Sequence, residues 1–308
     1  MTRSGPQYYP GAVTSGASWY EDNYGGNAME VNVLAVHTTE GTSLPGYGGG
    51  ASAPNITFLP EIKASRLKAY QHFRIDTSSR ALVNLRGGVE TNTLNVVQAE
   101  FVGTCDPATS KKWGGKNTSH IFWPDAPDWA YEEMAEFFAW LHVEHGVPLT
   151  GPSKWPAYPS SYGNGQGQRM SLSAWNSFKG ICGHMHVPEN SHGDPGSIPF
   201  GEIIDLAKSL AGDKDDDDKP TTPSKPKPTV PAFPGRKWFA LGQSNKYVTQ
   251  LGTQLKKKGF GKHYSVGPGP RWSEADRRNV RDFQRSDKRL AGDADGYPGP
   301  LTWKLLFS

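Results

Sequence analysis

The chain has 308 residues, 35% of them hydrophobic, with ten tryptophans and a net charge of +3. This length exceeds that of an average domain and suggests two. No apolar segment approaches the ~20 residues of a membrane span, and the first residues lack the apolar core of a signal peptide, so we expect synthesis in the cytoplasm and no membrane span.

The first predicted strand ends in a histidine. After about 30 irregular N-terminal residues, the short apolar run 33–36 predicts a strand that is buried on both faces, and His37 follows it directly. Open sheets bind their ligands at the carboxyl ends of strands. A lone histidine here is more often a core residue than a ligand, so its role depends on what the rest of the chain supplies.

Two further strands are predicted to form a hairpin, and a third carries a carboxylate. Residues 70–76 and 81–85 flank a turn at 77–79. Residues 95–102 predict a strand whose alternation places Glu100 on one face with apolar neighbours. Burying a carboxylate is costly unless it has a partner or a catalytic task. A structural ion pair is the alternative explanation for Glu100.

Helices and loops complete the first part of the chain. The apolar spacing in 128–145 predicts a helix that packs against the core. Residues 106–127 and 149–170 predict loops, and a loop as long as the second is usually functional. Short helices are predicted at 173–178 and 200–210. Two cysteines are too few for a disulfide scaffold, and we favour free buried thiols at Cys105 and Cys182 over a bridge.

A histidine-rich loop lies between residues 180 and 199. His184, His186, His192 and Asp194 fall within eleven residues, in a segment whose Gly, Pro and Asn content predicts a loop. Catalytic zinc usually takes three protein ligands and keeps a fourth position open. This loop can supply two ligands and His37 the third. The alternative is a polar surface loop that binds no metal.

The C-terminal part has a different composition. Residues 213–235 contain an acidic run and six prolines, which predict an extended linker. Residues 1–212 carry a net charge of −5, whereas residues 236–308 carry +9 and predict amphipathic helices around 248–255, 279–285 and 301–306. This small helical domain should prefer an anionic partner. Nucleic acid is disfavoured because no recognition motif accompanies the basic residues.

Three motifs, in order, resemble the zinc-dependent N-acetylmuramoyl-L-alanine amidases, which include phage endolysins and share a fold with the peptidoglycan recognition proteins. They are His-Thr-Thr-Glu-Gly at 37–41, Ala-Glu-Phe-Val-Gly at 99–103, and Gly-His followed ten residues later by Asp-Pro-Gly. The resemblance covers about residues 30–211. It implies an α/β domain with a central mixed β-sheet flanked by helices. Residues 236–308 resemble the small helical peptidoglycan-binding domain found beside many wall hydrolases.

The resemblance implies roles for five residues. His37, His184 and Asp194 would bind Zn²⁺, and Glu100 would take the proton from the attacking water. His192 lies where relatives often carry a lysine that stabilises the developing oxyanion. Histidine departs from that pattern, because only a protonated ring would bring the same charge.

Four more residues are candidates for the substrate cleft. Gln71 departs from the pattern of relatives that carry a catalytic tyrosine at this position. His186 is the alternative to His184 as a metal ligand, since both belong to the same His-Met-His run. Thr38 and His72 complete the set.

The implied function is that of a phage-type endolysin. It would hydrolyse the amide bond between N-acetylmuramic acid and L-alanine, acting as a monomer at the bacterial wall after synthesis in the host cytoplasm. The basic domain, 236–308, would tether the catalytic domain, 1–212, to peptidoglycan and anionic wall polymers. The alternatives are a non-catalytic peptidoglycan recognition protein and a secreted bacterial autolysin with the same chemistry, and the missing export signal disfavours the second.

Overall fold

The chain folds into two compact units. The computed structural model describes residues 5–82, 85–212, 231, 233–240, 242–291 and 294–307. One unit comprises Met1–Ala126 and Glu133–Ala207, and the other comprises Pro127–Glu132 and Lys208–Ser308. Most of the predicted linker, 213–230, lies outside the described residues, and the predicted domain limits at 212 and 236 stay a prediction.

The first unit is built on one five-stranded mixed sheet with the order β3-β2-β4-β1-β5. The strands are β1 (Val33–Thr38), β2 (Ile56–Glu61), β3 (Arg66–Gln71), β4 (Val96–Phe101) and β5 (Gly180–Gly183). The pairs β1–β4, β1–β5 and β2–β4 are parallel, and β2–β3 is antiparallel. Together with its helices, this sheet confirms the predicted α/β fold.

Helices cover the two faces of the sheet. The helices in and around this unit are α1 (Pro107–Lys112), α2 (Asp128–His145), α3 (Leu172–Ser177) and α4 (Phe200–Ala211). On one face, Phe58 of β2 packs between Phe101 and Phe137 of α2. On the other, Val33, Ala35, Val96 and Cys182 form a buried cluster with Trp175 of α3. The candidate site lies at the end of this second face, because His37 and Glu100 continue the same alternation.

The predicted hairpin is wrong in position. The structure pairs β2 with β3, whereas residues 72–82 form turns and bends and residues 83–84 lie outside the described part. Strand β3 ends at Gln71, and the His72 N–H still donates to the carbonyl oxygen of Asn55, the residue directly before β2. Strand β2, which contains Pro60, was not predicted from the sequence. That proline is tolerated because β4 pairs only with the first three residues of β2.

Two smaller features also bear on the predictions. The predicted loop 106–127 contains α1, which Asp106 caps by accepting from the Ala108 N–H, followed by a proline in the first turn. Cys105 and Cys182 are both buried and free, as we favoured. Among the described residues, no helix is long and apolar enough to cross a membrane.

The second unit is mainly helical. Its helices are α5 (Lys246–Lys257), α6 (Glu274–Ser286) and α7 (Pro300–Phe307). Apolar residues from all three form one core, which includes Val248, Leu251, Leu255, Val280, Phe283, Trp303 and Leu306. Asn245 caps α5, and Ser273 and Asp276 form a capping box at the start of α6. The three helices form at the three segments where the sequence predicts them.

Candidate metal centre

The three predicted ligands come together in the structure. His37, His184 and Asp194 are all buried and form the one group of potential metal ligands found in the described part of the chain. His37 Nδ1 lies 3.1 Å from His184 Nδ1. The Asp194 carboxylate lies 3.7 Å from His37 Nδ1 and 3.3 Å from His184 Nδ1. The first distance is to Oδ2 and the second to Oδ1, so the two imidazoles and the carboxylate form a compact triangle of donor groups.

The sheet topology explains why the two histidines meet. His37 is near the carboxyl end of β1, and His184 directly follows β5. These strands are parallel neighbours, with Val36 paired with Gly183. Both segments therefore leave the sheet at the carboxyl ends of these strands, which is where open sheets place ligands.

Asp194 is held in place by backbone N–H groups at the end of β1 and just after β5. Its Oδ2 accepts from the Thr38 N–H at 3.2 Å. Its own carbonyl oxygen accepts from the Met185 N–H at 3.1 Å. The loop that follows His184 is thereby folded back onto the end of β1, which places the carboxylate against both imidazoles.

The electrostatics of the triangle favour a bound cation. Burial and the neighbouring His184 lower the pKa of His37 to about 3, so its ring is neutral near pH 7. Burial alone would raise the pKa of Asp194, but His184 and His37 outweigh it and lower that pKa to about 2. A neutral imidazole and an ionised carboxylate are the forms that bind metals.

The donor set and its dimensions fit zinc. Two ligands that are each about 2.0–2.1 Å from a tetrahedral ion lie ~3.3 Å from one another. The two histidine Nδ1 atoms are 3.1 Å apart, His184 Nδ1 lies 3.3 Å from Asp194 Oδ1, and His37 Nδ1 lies 3.7 Å from Asp194 Oδ2. Two imidazole nitrogens and one carboxylate oxygen are also a ligand set that catalytic zinc accepts. The cluster can hold a metal ion, with His37, His184 and Asp194 as ligands.

Glu100 lies beside this triangle. It is the partner of His37 in the β1–β4 pair and of Thr57 in the β2–β4 pair, so all three side chains project from the same face. Its Oε2 atom is buried and has no hydrogen-bond partner among the described residues. Burial, followed by Asp194 and Glu40, holds the pKa of Glu100 well above its ordinary 4.5. A raised pKa and an unpaired oxygen suit a carboxyl group that exchanges protons.

His186 is held away from the triangle. Its Nδ1 accepts from the Gly183 N–H at 2.9 Å, so the proton of the neutral ring is on Nε2, which lies 2.7 Å from the Lys154 carbonyl oxygen. Burial lowers the pKa of His186 to about 4, which keeps the ring neutral. Both nitrogens are therefore used by the backbone, and His184 is the histidine of this run that belongs to the candidate metal cluster.

His192 lies at the rim of the triangle. Its ring stacks on His184 with the centroids 4.3 Å apart, and its Nδ1 is 3.8 Å from the Asp194 carboxylate. The side chain is 60% exposed. Burial and the neighbouring His184 lower its pKa, which disfavours the protonated ring that the resemblance requires for a charged group. A neutral ring can still donate a hydrogen bond.

The other candidates for the cleft have clear structural partners. The Thr38 hydroxyl donates to Glu40 Oε1 at 2.7 Å, and the Thr38 N–H holds Asp194. The Gln71 side chain binds the N-terminal segment instead: its Nε2 donates to the Gln7 carbonyl oxygen and its Oε1 accepts from the Tyr9 N–H. His72 is buried after β3, which is separated from the β1 strand of His37 by β2 and β4, and it bonds to Thr57. The structure therefore brings Thr38, but not Gln71, to the metal ligands.

Glu40, which was not predicted as a site residue, stabilises the end of β1. Its carboxylate accepts from the hydroxyl of Thr38, the hydroxyl of Thr104 and the Cys105 N–H. These bonds join the residues after β1 to the residues after β4. A signal was present in the sequence, since Glu40 belongs to the His-Thr-Thr-Glu-Gly motif, but nothing in the motif identifies its partners.

Arg169 was also missed, and it organises the histidine-rich loop. Its guanidinium donates to the carbonyl oxygens of Gly163, Val187 and His192 at 2.9, 2.6 and 2.8 Å. It also donates to Asn190 Oδ1 at 2.8 Å. The segment between His184 and Asp194 is thus tied to the long loop 149–170. Arg169 acts on the site through the loop and not by direct contact with the donor atoms.

We expect Arg169→Lys to weaken metal binding about 10- to 100-fold, the usual effect of losing a residue that supports the ligands. A single ammonium group cannot reach carbonyl oxygens in several directions as a guanidinium does. Metal titration with a fluorescent competitor would measure the change. Arg80→Lys is the matched control, because Arg80 is exposed and its guanidinium donates to the Ala51 carbonyl oxygen. An unchanged affinity in Arg169→Lys would contradict this role.

No protein-family model and no curated protein sequence matches the chain. Two chains among solved structures match it. One is a mutant structure of PlyL, with 11% sequence identity and a TM-score of 0.26, covering 40% of this chain and 66% of that one. The chain thus spans about two thirds of the length of PlyL in that structure. A likeness this low carries no argument about function.

Proposed function

We propose that the protein is a zinc-dependent N-acetylmuramoyl-L-alanine amidase of the phage endolysin type. The observation that carries this proposal is the triangle of His37, His184 and Asp194, with 3.1–3.7 Å between donor atoms, and the unpaired Glu100 carboxyl beside it. The motifs that resemble the amidases supply these same four residues. The substrate would be the bacterial wall, which is where the protein would act.

The reaction adds water across the bond between the lactyl carbonyl carbon and the alanine nitrogen. The carbon gains the hydroxyl group, the C–N bond breaks, and the nitrogen gains the proton. A bound Zn²⁺ supplies Lewis acidity, which polarises a carbonyl group and makes water more acidic. Glu100 takes a proton from the attacking water at Oε2 and returns it to the leaving nitrogen. The raised pKa of Glu100 favours the protonated carboxyl group, which suits the return of the proton to the leaving nitrogen.

Other residues of the site hold the reacting groups in place. Thr38 and Glu40 fix the position of Asp194 and the end of β1. His192, exposed at the rim, would donate a hydrogen bond to the oxygen on which negative charge develops. Arg169 keeps the loop that carries His192 closed against the long loop.

We further propose that the basic second unit anchors the enzyme to its substrate. Residues 236–308 have a net charge of +9, and peptidoglycan with anionic wall polymers would be the partner. The protein would act as a monomer and bind no nucleic acid. Binding through this unit should weaken as salt is raised, because exposed charges are screened.

The test is a clearing assay on purified peptidoglycan, followed by mass spectrometry of the released fragments. We expect clearing that a chelator abolishes and added zinc restores, with fragments that carry a free N-terminal L-alanine. New reducing sugar ends without free alanine would indicate a glycosidase. Wall binding with no clearing in the presence of zinc would indicate a non-catalytic recognition protein, and either result would contradict the amidase proposal.

A further inference from the structure

A chain of hydrogen bonds approaches Glu100 from the side opposite the metal ligands. The Tyr47 hydroxyl lies 2.7 Å from Thr57 Oγ1. Thr57 Oγ1 lies 2.8 Å from His72 Nε2, and His72 Nδ1 lies 2.5 Å from the Ser18 carbonyl oxygen. Thr57 is the β2 partner of Glu100. The proposed reaction uses none of Tyr47, Thr57 and His72.

The direction of every bond in this chain is fixed. A carbonyl oxygen only accepts, so His72 carries its proton on Nδ1. Burial lowers the pKa of His72 to about 4, so the ring is neutral and its Nε2 is an acceptor. Thr57 must give its single hydroxyl proton to that nitrogen. Tyr47 must therefore donate to Thr57, and no other order satisfies all three contacts.

These bond directions determine which hydrogen bonds the Tyr47 oxygen can still form. Its one proton is committed to Thr57, so the phenol can offer only lone pairs to anything else that approaches. The Thr57 contact places Tyr47 near Glu100, the β4 partner of Thr57, and burial followed by Glu100 raises the pKa of the phenol. Glu100 Oε2 nevertheless receives no hydrogen bond from it. The chain therefore converts a side chain that usually donates into an acceptor beside Glu100.

The Tyr47 side chain is held firmly in this place. Its backbone has φ of 50°, in the left-handed region that bulky residues rarely adopt. Its carbonyl oxygen accepts from the Gly50 and Ser52 N–H groups at 3.0 and 3.2 Å. Its ring packs edge-on against His72 with the centroids 5.4 Å apart. An unusual conformation that several contacts maintain is common at binding sites.

We propose that Tyr47 is a substrate-binding residue whose phenol oxygen accepts a hydrogen bond from an amide N–H of the substrate, next to Glu100. Thr57 and His72 are positioning residues that set the direction of the chain and so make Tyr47 an acceptor. This inference rests on the proposed function for the class of substrate, a peptide amide. It predicts selection for a peptide N–H and against an ester or N-methyl group at one position.

The first experiment tests the chain itself and needs no activity. In ¹⁵N NMR spectra of the full-length protein, His72 should show a protonated Nδ1 and an unprotonated Nε2 at neutral pH. Thr57→Val should shift the Nε2 signal, whereas Thr57→Ser should restore it. A His72 that is protonated on Nε2 would overturn the inference.

The second experiment tests what Tyr47 binds. The experiment uses soluble muramoyl peptides in which an ester oxygen replaces one amide N–H at a time. These peptides are compared as substrates and as ligands of the zinc-loaded protein. One replacement should lower kcat/KM, or affinity, roughly tenfold in the wild type, the size of one hydrogen bond, but not in Tyr47→Phe. Tyr20→Phe is the control, because the Tyr20 ring stacks on His72 while its hydroxyl bonds to Gly46.

The outcomes separate this inference from the proposed function. Suppose that the wild type cleaves the peptides and that every ester carries the same penalty in the wild type and in Tyr47→Phe. That result overturns the role of Tyr47 and leaves the proposed function standing. A wild type that binds the peptides without cleaving them contradicts the amidase proposal. In that case, an ester penalty in binding that disappears in Tyr47→Phe still supports the inference, and the absence of any such penalty overturns it.

Discussion

Glu100→Gln should abolish hydrolysis of peptidoglycan while leaving metal binding intact. Glutamine has nearly the same shape but cannot take a proton from water, and loss of a general acid–base group costs about 100- to 10,000-fold in rate. Glu100 is not one of the three clustered donors, so we expect one metal ion per chain in the variant. Fragment release measured by mass spectrometry, with metal analysis of the same sample, checks both parts.

The same substitution should also change stability in a way that depends on pH. The pKa of Glu100 is raised in the folded protein above its ordinary 4.5, so the folded state holds this proton more tightly than the unfolded state does. That stabilisation is present at low pH and is lost as pH rises above 4.5 toward the folded pKa. Metal-free Glu100→Gln should therefore gain stability relative to the wild type as pH rises.

Near-normal hydrolysis in the variant would remove Glu100 from the mechanism.

His184→Ala should lose the metal ion, whereas His186→Gln should keep it. Removing a ligand costs more than the 10- to 100-fold typical of a supporting residue, so we expect a fall in affinity of more than about 100-fold for His184→Ala. His186 uses both ring nitrogens on the backbone of Gly183 and Lys154, and its loss should reduce stability more than affinity.

Metal titration with circular dichroism as a test of folding distinguishes the two variants. His120→Gln is the matched control, because His120 is a buried histidine that bonds to Ser110 and takes no part in the triangle. If His186→Gln folds normally and loses the metal while His184→Ala keeps it, the ligand assignment is wrong. The chelator-treated wild type gives the reference for the metal-free state.

The charges buried in this region would favour a bound cation. Asp194 is ionised and its neighbour His37 is neutral. Burial and the nearby Asp194 raise the pKa of both Glu100 and Glu40, and Glu40 raises that of Glu100 further. Burying charge without compensation is costly. A divalent ion at the triangle would balance these carboxylates and is the largest local charge that the site could hold.

The members of the candidate metal cluster could be predicted because each is marked by local sequence. His37 ends an apolar run, and His184 and Asp194 lie in a short loop with a characteristic spacing. Because β1 and β5 are parallel neighbours, the segments that follow their carboxyl ends come together. Glu100 was predicted for a related reason, since a carboxylate within an apolar strand is conspicuous. The resemblance to the amidases gave these residues their proposed roles.

The residues that support the site could not be predicted in the same way. Arg169 acts through carbonyl oxygens of three residues, and its own sequence neighbourhood is an ordinary polar loop. Tyr47 depends on a hydrogen-bond direction that is set by Ser18 and His72, which are distant in sequence. Strand β2 was missed because Pro60 weakens the strand pattern, and only the limited pairing with β4 explains why it is tolerated.

The most direct test of the account is a zinc-edge anomalous diffraction map from crystals grown with zinc. We predict one ion in the first unit, about 2.0–2.2 Å from His37 Nδ1, His184 Nδ1 and the Asp194 carboxylate, with a fourth position open on the side of Glu100. An ion bound by His186, or no ion between residues 37 and 194 in zinc-saturated crystals, would contradict the account.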